Sequence, residues 1–298
     1  YENFENLQAG DFFASTLRRL RKYGCIPNMG YSITVQGNIP VNAGVSSSSA
    51  IVVAWVHFLL KTFGCDREIT SEFISQLAYE AEVLEHHSPG GKMDQYTIGI
   101  GNIVFIETGN RFNYELIGEK LNGMVLGESG IAKDTIGLLK SSKTNAIKAI
   151  QIIQDKEAKF LLEKASIKDH NNYKTLLPDE LKPYFYAAIQ NHIITQKALR
   201  ALKETTLNYP LIGDLINQHH RILRDDLKLT VPKIDAMVDA AVDAGAYGAK
   251  IIGSGGGGCI VALCPIHLQD EISIAIKKAG AKDAYSVKVT SGTKIFNE

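Results

Sequence analysis

Residues 40–50 read PVNAGVSSSSA, and the interpretation of the whole chain starts from this stretch. Pro40 closes an alternating apolar segment, and a loop of small residues leads into four consecutive serines. Residues 50–63 are almost wholly apolar and too long for one strand, so they predict a buried helix. The serines therefore stand where a loop becomes the first turn of a helix.

A phosphate-binding role is favoured by the backbone at such a position. The first N–H groups of a helix have no partner inside it and lie at the positive end of its dipole. Small side chains let an anion reach those groups, and serine hydroxyls add hydrogen-bond donors or a metal ligand. The alternative is an N-cap, because serine is a favoured N-cap residue. A cap needs only one serine, so the run favours phosphate binding.

A second unusual loop, GSGGGG, occupies residues 253–258 between two apolar segments. Glycine loses more conformational freedom on folding than any other residue, and a plain hairpin needs one or two glycines. The excess indicates backbone held close to a ligand such as phosphate, or against another loop. A permissive hairpin is the alternative. Neither this loop nor Gly91-Lys92-Met93 matches a Walker loop or a dinucleotide fingerprint.

Two carboxylates are candidates for one site. Glu82 lies near the end of a predicted helix that Thr70 or Ser71 caps, and Asp94 follows the turn at residues 88–91. Because that turn folds the chain back, both can face one cleft, one holding Mg²⁺ and the other meeting a substrate hydroxyl. The alternative for each is an ordinary solvated surface charge.

The histidines and cysteines suggest no metal centre. Neighbouring helix residues point about 100° apart, so we expect surface or capping roles for the pairs His86-His87 and His219-His220. Four scattered cysteines are too few for a disulfide framework, and we expect those at 259 and 264 to be buried thiols. A reducing, cytoplasmic compartment is the expectation.

Composition excludes several classes of partner. The 298 residues include 32 basic and 32 acidic side chains, and 45% are hydrophobic. A formal net charge of zero gives no general electrostatic attraction to nucleic acid or to an anionic membrane. No apolar run approaches the ~18 residues of a membrane span, and no leader is visible. We expect a soluble globular protein.

The secondary-structure pattern is α+β. Helices are predicted over residues 12–23, from 70 to the turn, over 140–202 with an interruption near 169–173, and from Pro232 to Gly245. Strands are predicted over residues 31–39 and 102–107 and on both sides of the glycine loop. A boundary near residue 138 divides the chain into domains 1–138 and 139–298.

Together these motifs resemble the GHMP kinases, which include galactokinase, homoserine kinase, mevalonate kinase and phosphomevalonate kinase. Residues 40–50 resemble the family's serine motif, and residues 250–259, KIIGSGGGGC, its C-terminal glycine motif. The resemblance spans about residues 12–265. It implies an N-terminal domain like ribosomal S5 domain 2 and a ferredoxin-like C-terminal domain. The family's N-terminal motif, with a basic residue and sugar contacts, is not in this chain, and we expect the native protein to carry it.

Residues 81–95 refine the resemblance. The stretch looks like the galactokinase segment that ends in Met-Asp-Gln, and it is similar to heptose kinases with Gly-Gly-Lys before Asp-Gln. Mevalonate kinases typically have Asp followed by Asn, and homoserine kinases lack this aspartate. The resemblance thus implies a sugar kinase acting on the anomeric hydroxyl. A mevalonate kinase, or a non-catalytic sensor of sugar and ATP, is the alternative.

The resemblance also assigns roles to individual residues. Ser48 and Glu82 would ligate Mg²⁺, and Asp94 would accept the proton of the attacking hydroxyl or orient it. Ser49 stands where the family usually has alanine, so the alternative is that the metal-binding serine lies one position from Ser48. Residues 127–135 are similar to a loop that follows the cleft, with a plain turn as the alternative. The residues implied to bind ATP are Pro40, Asn42, Ala43, Gly44, Val45, Ser46, Ser47, Ser48, Ser49, Gly253, Gly255, Gly256 and Gly257.

Overall fold

The chain divides into two units of packed helices and strands. The computed structural model describes residues 7–88, 90–108, 112–118, 121–132 and 135–296. The first unit comprises Tyr1–Val41, Ser46–Glu119 and Val289–Glu298, and the second comprises Asn42–Val45 and Lys120–Lys288. The α+β class is confirmed. The division into domains 1–138 and 139–298 stays a prediction.

The first unit is mainly helical. Its described elements are α1 Phe12–Arg21, α2 Ser47–Phe63, α3 Ser71–Tyr79, α4 Met93–Ile100, β1 Ile103–Thr108 and β2 Phe112–Gly118. A π-helical turn, Glu80–Leu84, extends α3. Thr70 caps α3 as predicted, because its hydroxyl oxygen accepts from the Phe73 N–H at 3.1 Å. The apolar helix α2 supplies Val53, Val56 and Leu60 to the core of this unit.

The predicted strand over residues 31–39 is wrong. No described residue pairs with this stretch, which has no regular secondary structure. Its alternating apolar side chains are exposed, with Tyr31 at 50%, Ile33 at 48% and Val35 at 59%. Alternation shows which side chains would share a face of a strand. It does not supply the neighbouring backbone that a strand needs.

The second unit contains a four-stranded antiparallel sheet with the order β4-β5-β3-β6. Its described elements are β3 Met124–Glu128, α5 Thr135–Lys156, α6 Ile167–Tyr173, α7 Lys182–Lys203, α8 Tyr209–Arg221, α9 Pro232–Asp243, β4 Gly248–Ile251, β5 Cys259–Leu263, α10 Gln269–Lys278 and β6 Asp283–Val287. The path β3, helices, β4, β5, α10, β6 is the ferredoxin-like arrangement. Fully buried side chains of α9, α10 and the sheet, such as Met237, Ile276 and Ile260, form its core.

Two details of this unit differ from the predicted pattern. The helical run is interrupted at residues 157–166 and 174–181, whereas residues 169–173 lie inside α6. The strands β3 and β6 were not predicted, and both pair with residues distant in sequence.

The buried positions of Cys259 and Cys264 are confirmed. No helix in the described part of the chain combines the length and apolarity needed to cross a membrane.

Helix α8 covers β4, an edge strand of the sheet. Asn217 Oδ1 accepts from the Ala249 N–H at 2.9 Å, and His220 Nδ1 accepts from the Ile251 N–H at 3.3 Å. The helix therefore satisfies backbone groups that a free edge would leave unpaired. His220 is 3% exposed, so the expected surface or capping role is wrong for this residue. By supporting β4, α8 also supports the start of the glycine loop.

The approach of α8 to β4 depends on glycine. A Cβ atom added to Gly248 would lie 2.0 Å from the Gly213 carbonyl oxygen, which is backbone and has little freedom to move. We therefore expect Gly248→Ala to lower the free energy of unfolding by about 1–3 kcal/mol, as overpacking does. Urea denaturation followed by circular dichroism measures this loss. Gly30→Ala is the control, because an added Cβ there meets nothing within 4 Å. Equal losses in both variants would contradict the packing argument.

Acid should destabilise the protein through His219. Burial, reinforced by the positive charge of Lys250, lowers the pKa of His219 to about 3. In the unfolded chain a histidine takes up a proton near pH 6.5, so below that pH the unfolded state binds more protons than the folded state. Stability therefore falls as pH drops, and this single group contributes about 2 kcal/mol of that loss by pH 5. Unfolding measured at pH 7 and pH 5 should show a smaller loss for His219→Gln.

The exposed His267 provides the matched control for this experiment. His267→Gln should keep the pH dependence of the unmodified protein. If His219→Gln and His267→Gln behave alike between pH 7 and pH 5, the loss arises from groups other than His219.

Candidate functional site

The serine run begins α2, as the sequence predicts. Ser46 is the N-cap residue, and its backbone is in the left-handed conformation with φ 58° and ψ 38°. Its hydroxyl makes no capping hydrogen bond. The N-terminus of α2 is thus not closed by the side chain best placed to cap it, which disfavours the plain N-cap interpretation. The unpaired N–H groups of the first turn are suited to an anion.

Ser48 and Glu82 are in direct contact. The Ser48 hydroxyl donates to Glu82 Oε1 at 2.7 Å, and Glu82 is only 8% exposed. Glu82 lies in the π-helical turn Glu80–Leu84, a rare local structure that occurs frequently at functional sites. Two motifs that are 34 positions apart in the sequence therefore meet at one carboxylate.

Arginines of α1 anchor the π-helical turn on its other side. Arg19 Nη2 lies 3.0 Å from Glu85 Oε1, and Arg19 Nε lies 3.4 Å from Glu80 Oε2. Arg18 also forms an ion pair with Glu85. The charges of Glu80 and Glu85 are thus balanced within the first unit, while Glu82 has no cationic partner among the described residues.

Gln95 completes the contacts of Glu82. Its Nε2 donates to Glu82 Oε2 at 2.6 Å and to Ser49 Oγ at 3.3 Å, and the residue is 2% exposed. Its Oε1 is buried and has no hydrogen-bond partner among the described residues. Ser48, Ser49, Glu82 and Gln95 are referred to below as the Glu82 cluster. In the sequence analysis Gln95 served only to distinguish families, and its contact with Glu82 was missed. The available signal was that Gln95 directly follows Asp94.

Asp94 lies beside this cluster in sequence, in the first turn of α4. Its side chain is half-buried, and within the described part of the chain it makes no hydrogen bond or ion pair. The preceding Lys92 is held elsewhere, since its Nζ donates to Gln76 Oε1 at 2.8 Å and lies 4.2 Å from the centroid of the Phe112 ring. Burial lowers the pKa of Lys92. The carboxylate of Asp94 is available to a ligand.

The Ser48 and Glu82 oxygens fit a magnesium ion. Mg²⁺ prefers oxygen ligands at about 2.1 Å in octahedral geometry, which places neighbouring ligand oxygens about 3 Å apart. The 2.7 Å between Ser48 Oγ and Glu82 Oε1 is close to that spacing. The described residues contain no group of three or more His, Cys, Asp or Glu side chains that could hold a metal. This donor set suits Mg²⁺ that is shared with phosphate groups, as is usual for this ion.

In the second unit, the glycine loop packs against two other loops. The Gly256 N–H donates to the Leu229 carbonyl at 2.9 Å, and the Gly258 N–H donates to the Ile131 carbonyl at 3.0 Å. A Cβ atom on Gly258, where φ is +85°, would lie 2.5 Å from the carbonyl oxygen of Ala43. The glycine motif and the start of the serine motif therefore meet through backbone. The other four glycines of the loop also have positive φ values, which favour glycine.

The predicted site residues fall into two sets. Pro40, Ser46, Ser47, Ser48, Ser49, Glu82 and Asp94 lie in the first unit, whereas Asn42, Ala43, Gly44, Val45, Gly253, Gly255, Gly256 and Gly257 lie in the second. Contacts join Ser48 to Glu82 in the first set and bring Ala43 to the glycine loop in the second. No hydrogen bond joins Asp94 to Glu82 in the described structure.

The loop after β3 packs against the glycine loop, since the Ser129 N–H donates to the Gly258 carbonyl at 2.9 Å. This loop belongs to the segment 127–135 that the sequence singled out. Lys133 and Asp134 in that segment, and Pro89 in the turn before Asp94, lie outside the described residues.

The sequence relatives of this chain include mevalonate kinases and galactokinases. The mevalonate kinase of Thermococcus onnurineus is 29% identical over 84% of this chain and 64% of its own length. The galactokinase of Staphylococcus saprophyticus is 28% identical over 90% of this chain and 72% of its own length. This chain spans 65% of the length of the mevalonate kinase of Thermococcus sibiricus.

Similarity of fold extends over nearly all of the chain. The structure of Lactococcus lactis galactokinase complexed with galactose has a TM-score of 0.80 at 21% identity, covering 99% of this chain and 79% of that one. For the mevalonate kinase of Methanococcus jannaschii the TM-score is 0.66 at 20% identity, covering 96% of this chain and 78% of that one.

Family models match both units. The model of the GHMP kinases N terminal domain matches residues 11–102, and that of the GHMP kinases C terminal matches residues 197–283. Together the two matches cover more than half of the sequence, and they include the serine motif, the Glu82 cluster, Asp94 and the glycine loop. The chain belongs to the GHMP kinase family.

Proposed function

We propose that this protein is an ATP-dependent kinase that transfers the γ-phosphate of ATP to a sugar hydroxyl, with the anomeric hydroxyl as the acceptor. The observation that carries the proposal is the Ser48–Glu82 contact at 2.7 Å. Asp94, in the first turn of α4, adds a carboxylate that makes no hydrogen bond or ion pair with the described residues. A metal-binding pair and a free carboxylate are the parts that phosphoryl transfer from ATP to an alcohol requires. Membership of the GHMP kinase family supports ATP as the phosphoryl donor.

Within this proposal, Asp94 acts on the acceptor. Its carboxylate orients the sugar hydroxyl and accepts its proton as the hydroxyl oxygen bonds to the γ-phosphorus. The bond between that phosphorus and the oxygen bridging to the β-phosphate breaks, and ADP leaves. Because Asp94 is half-buried and unpaired, no competing bond in the described structure must be broken first.

The remaining residues bind and orient the triphosphate. Ser48 and Glu82 would hold Mg²⁺, which neutralises charge on the phosphate oxygens. The first N–H groups of α2 donate to phosphate. The glycine loop, fixed on Ala43 and Ile131, holds the backbone of residues 42–45 in place. Positioning and charge neutralisation supply most of the rate enhancement in such a reaction.

Mevalonate is the second candidate acceptor. Mevalonate kinases are among the sequence relatives, at up to 29% identity in those described above. Residues 93–95, Met-Asp-Gln, favour a sugar, because the typical mevalonate kinase has Asp followed by Asn. A sensor that binds ATP and sugar without turnover is the third candidate. It gives no role to the Asp94 carboxylate, which makes no hydrogen bond or ion pair with the described residues.

The deciding experiment measures ADP release with Mg²⁺ and ATP against free hexoses, heptoses, uronic acids and mevalonate. We expect turnover with one sugar, and a loss of about 10²-fold or more in Asp94→Asn, as for removal of a general base. The affinity for ATP should stay within a few-fold, because Asp94 contacts the acceptor. Asp270→Asn is the control, since Asp270 is an exposed aspartate in the first turn of α10.

Each other outcome selects another function. Turnover with mevalonate alone would replace the sugar acceptor. ATP binding without ADP release from any acceptor would favour the sensor. Normal turnover in Asp94→Asn would remove the proton acceptor from the mechanism.

The Ser48–Glu82 pair can be tested by its metal dependence. We expect the double variant Ser48→Ala, Glu82→Gln to lose about tenfold or more of its affinity for ATP in the presence of Mg²⁺, because both protein ligands are removed. Calorimetry with and without Mg²⁺ measures the effect. Without Mg²⁺ the variant should bind ATP at least as well as the unmodified protein, since a buried negative charge is gone. An unchanged gain in affinity from Mg²⁺ would exclude this pair as the metal site.

A further inference from the structure

Gln95 occupies the centre of the Glu82 cluster. We infer that Gln95 is a positioning residue, which fixes the Glu82 carboxylate for metal binding and links it rigidly to the helix turn that carries Asp94. The inference rests on the proposed function, because it assigns a role within the same site. It is carried by three observations: the hydrogen bonds of the amide nitrogen, the unpaired amide oxygen, and the anchoring of α4.

The amide nitrogen selects which oxygen of Glu82 faces Ser48. Gln95 Nε2 donates to Oε2 at 2.6 Å, and the Ser48 hydroxyl donates to Oε1. A hydrogen bond to an ionised carboxylate is stronger than one between neutral groups. With Oε2 bound by Gln95, the carboxylate presents Oε1 to Ser48, and these are the two oxygens that fit Mg²⁺.

The orientation of the amide follows from the chemistry of its partner. An ionised carboxylate only accepts hydrogen bonds, so the NH₂ group of Gln95 must face Glu82. The second N–H of Gln95 points to Ser49 Oγ at 3.3 Å. The hydroxyl at position 49, where the family usually has alanine, thus accepts from the Gln95 amide. Ser48 is the serine that donates to Glu82.

The oxygen of the same amide is left without a partner. Gln95 is 2% exposed, and its Oε1 has no hydrogen bond in the described structure. A buried acceptor without a donor lowers stability, and an apolar side chain of similar length would avoid that penalty. Packing alone therefore does not account for an amide here, whereas its contact with the buried Glu82 carboxylate does.

The turn that carries Gln95 is anchored at a second point. Lys92, the N-cap residue of α4, and Tyr96, within α4, both donate to Gln76 Oε1 of α3, at 2.8 and 2.9 Å. Gln76 in turn donates to Glu80, in the same π-helical turn as Glu82. With the Gln95–Glu82 bond, two connections fix α4 on the turn, and Asp94 lies between them in sequence. Loss of the Gln95 amide removes the connection between α4 and Glu82.

Gln95→Met tests this inference, because methionine has a similar length and cannot donate. The probe is Mn²⁺, whose binding to the protein with a non-hydrolysable ATP analogue is measured by electron paramagnetic resonance. We expect Gln95→Met to weaken Mn²⁺ binding by about 10-fold or more, as loss of a residue that orients a metal ligand does. In the ADP assay, kcat should fall more than the KM for the acceptor changes. Affinity for metal-free ATP should stay unchanged.

Two further variants separate positioning from packing. Gln218→Met removes an amide-to-carboxylate bond of the same length, 2.6 Å to Asp214 Oδ2, on α8, and should leave Mn²⁺ binding and ADP release unchanged. Gln95→Asn, which keeps a shorter amide, should fall between Gln95→Met and the unmodified protein, and it serves if Gln95→Met does not fold.

The inference and the proposed function fail in different ways. Folded Gln95→Met with Mn²⁺ affinity within twofold of the unmodified protein would overturn the role of Gln95, whatever its turnover. The same role is overturned if Gln218→Met lowers Mn²⁺ affinity equally. An unmodified protein that binds Mn²⁺ with the ATP analogue but releases no ADP with any acceptor would overturn the kinase proposal, while the Mn²⁺ comparison would still decide the role of Gln95.

Discussion

The buried carboxylate of Glu82 is the constraint on which the first unit depends. A buried charge must be compensated, and here two hydrogen-bond donors compensate it, the Ser48 hydroxyl and the Gln95 amide. These donors come from the first turns of α2 and α4, so the charge can be buried only when both helices begin at this point. Glu80, in the same π-helical turn, and Glu85, directly after it, are paired with Arg19 of α1 instead. The carboxylates of Glu80 and Glu85 thus stabilise the fold through ion pairs. The carboxylate of Glu82 has only hydrogen-bond donors as described partners, so its charge is available to a cation.

In the second unit the corresponding constraint is the close approach of backbones. Side chains on the glycine loop would overlap the carbonyl groups of Leu229, Ile131 and Ala43. The sheet edge at β4 depends on a similar approach to α8, where Gly213 and Gly248 leave no room for a Cβ atom. At Gly258 the glycine loop meets the backbone of Ala43 directly, since an added Cβ atom would lie 2.5 Å from the Ala43 carbonyl oxygen. The backbones can approach this closely because glycine has no side chain.

Sequence reasoning predicted the elements whose signals are local. The apolar run of α2, the Thr70 cap, the Pro232 start of α9 and the strands on both sides of the glycine loop each follow from neighbouring residues, and the structure confirms them. Errors arose where a distant partner decides the outcome. Residues 31–39 alternate like a strand but pair with no described residue, and His220 is buried because a strand edge 31 positions away needs an acceptor. The role of Gln95 was missed for the same reason, since its partners are 13 and 46 positions distant.

The path of the chain limits how recombination can exchange parts of such a protein between relatives. Residues 42–45 belong to the second unit, whereas the residues on both sides of them and residues 289–298 belong to the first. Neither unit is therefore one continuous stretch of sequence. A recombination event that joined the first part of one relative to the last part of another would combine a serine motif and a glycine loop that had not been selected together. Because these meet backbone to backbone at Ala43 and Gly258, viable exchanges should preserve both motifs as a matched pair, and the two units should diverge less independently than domains joined by a single linker.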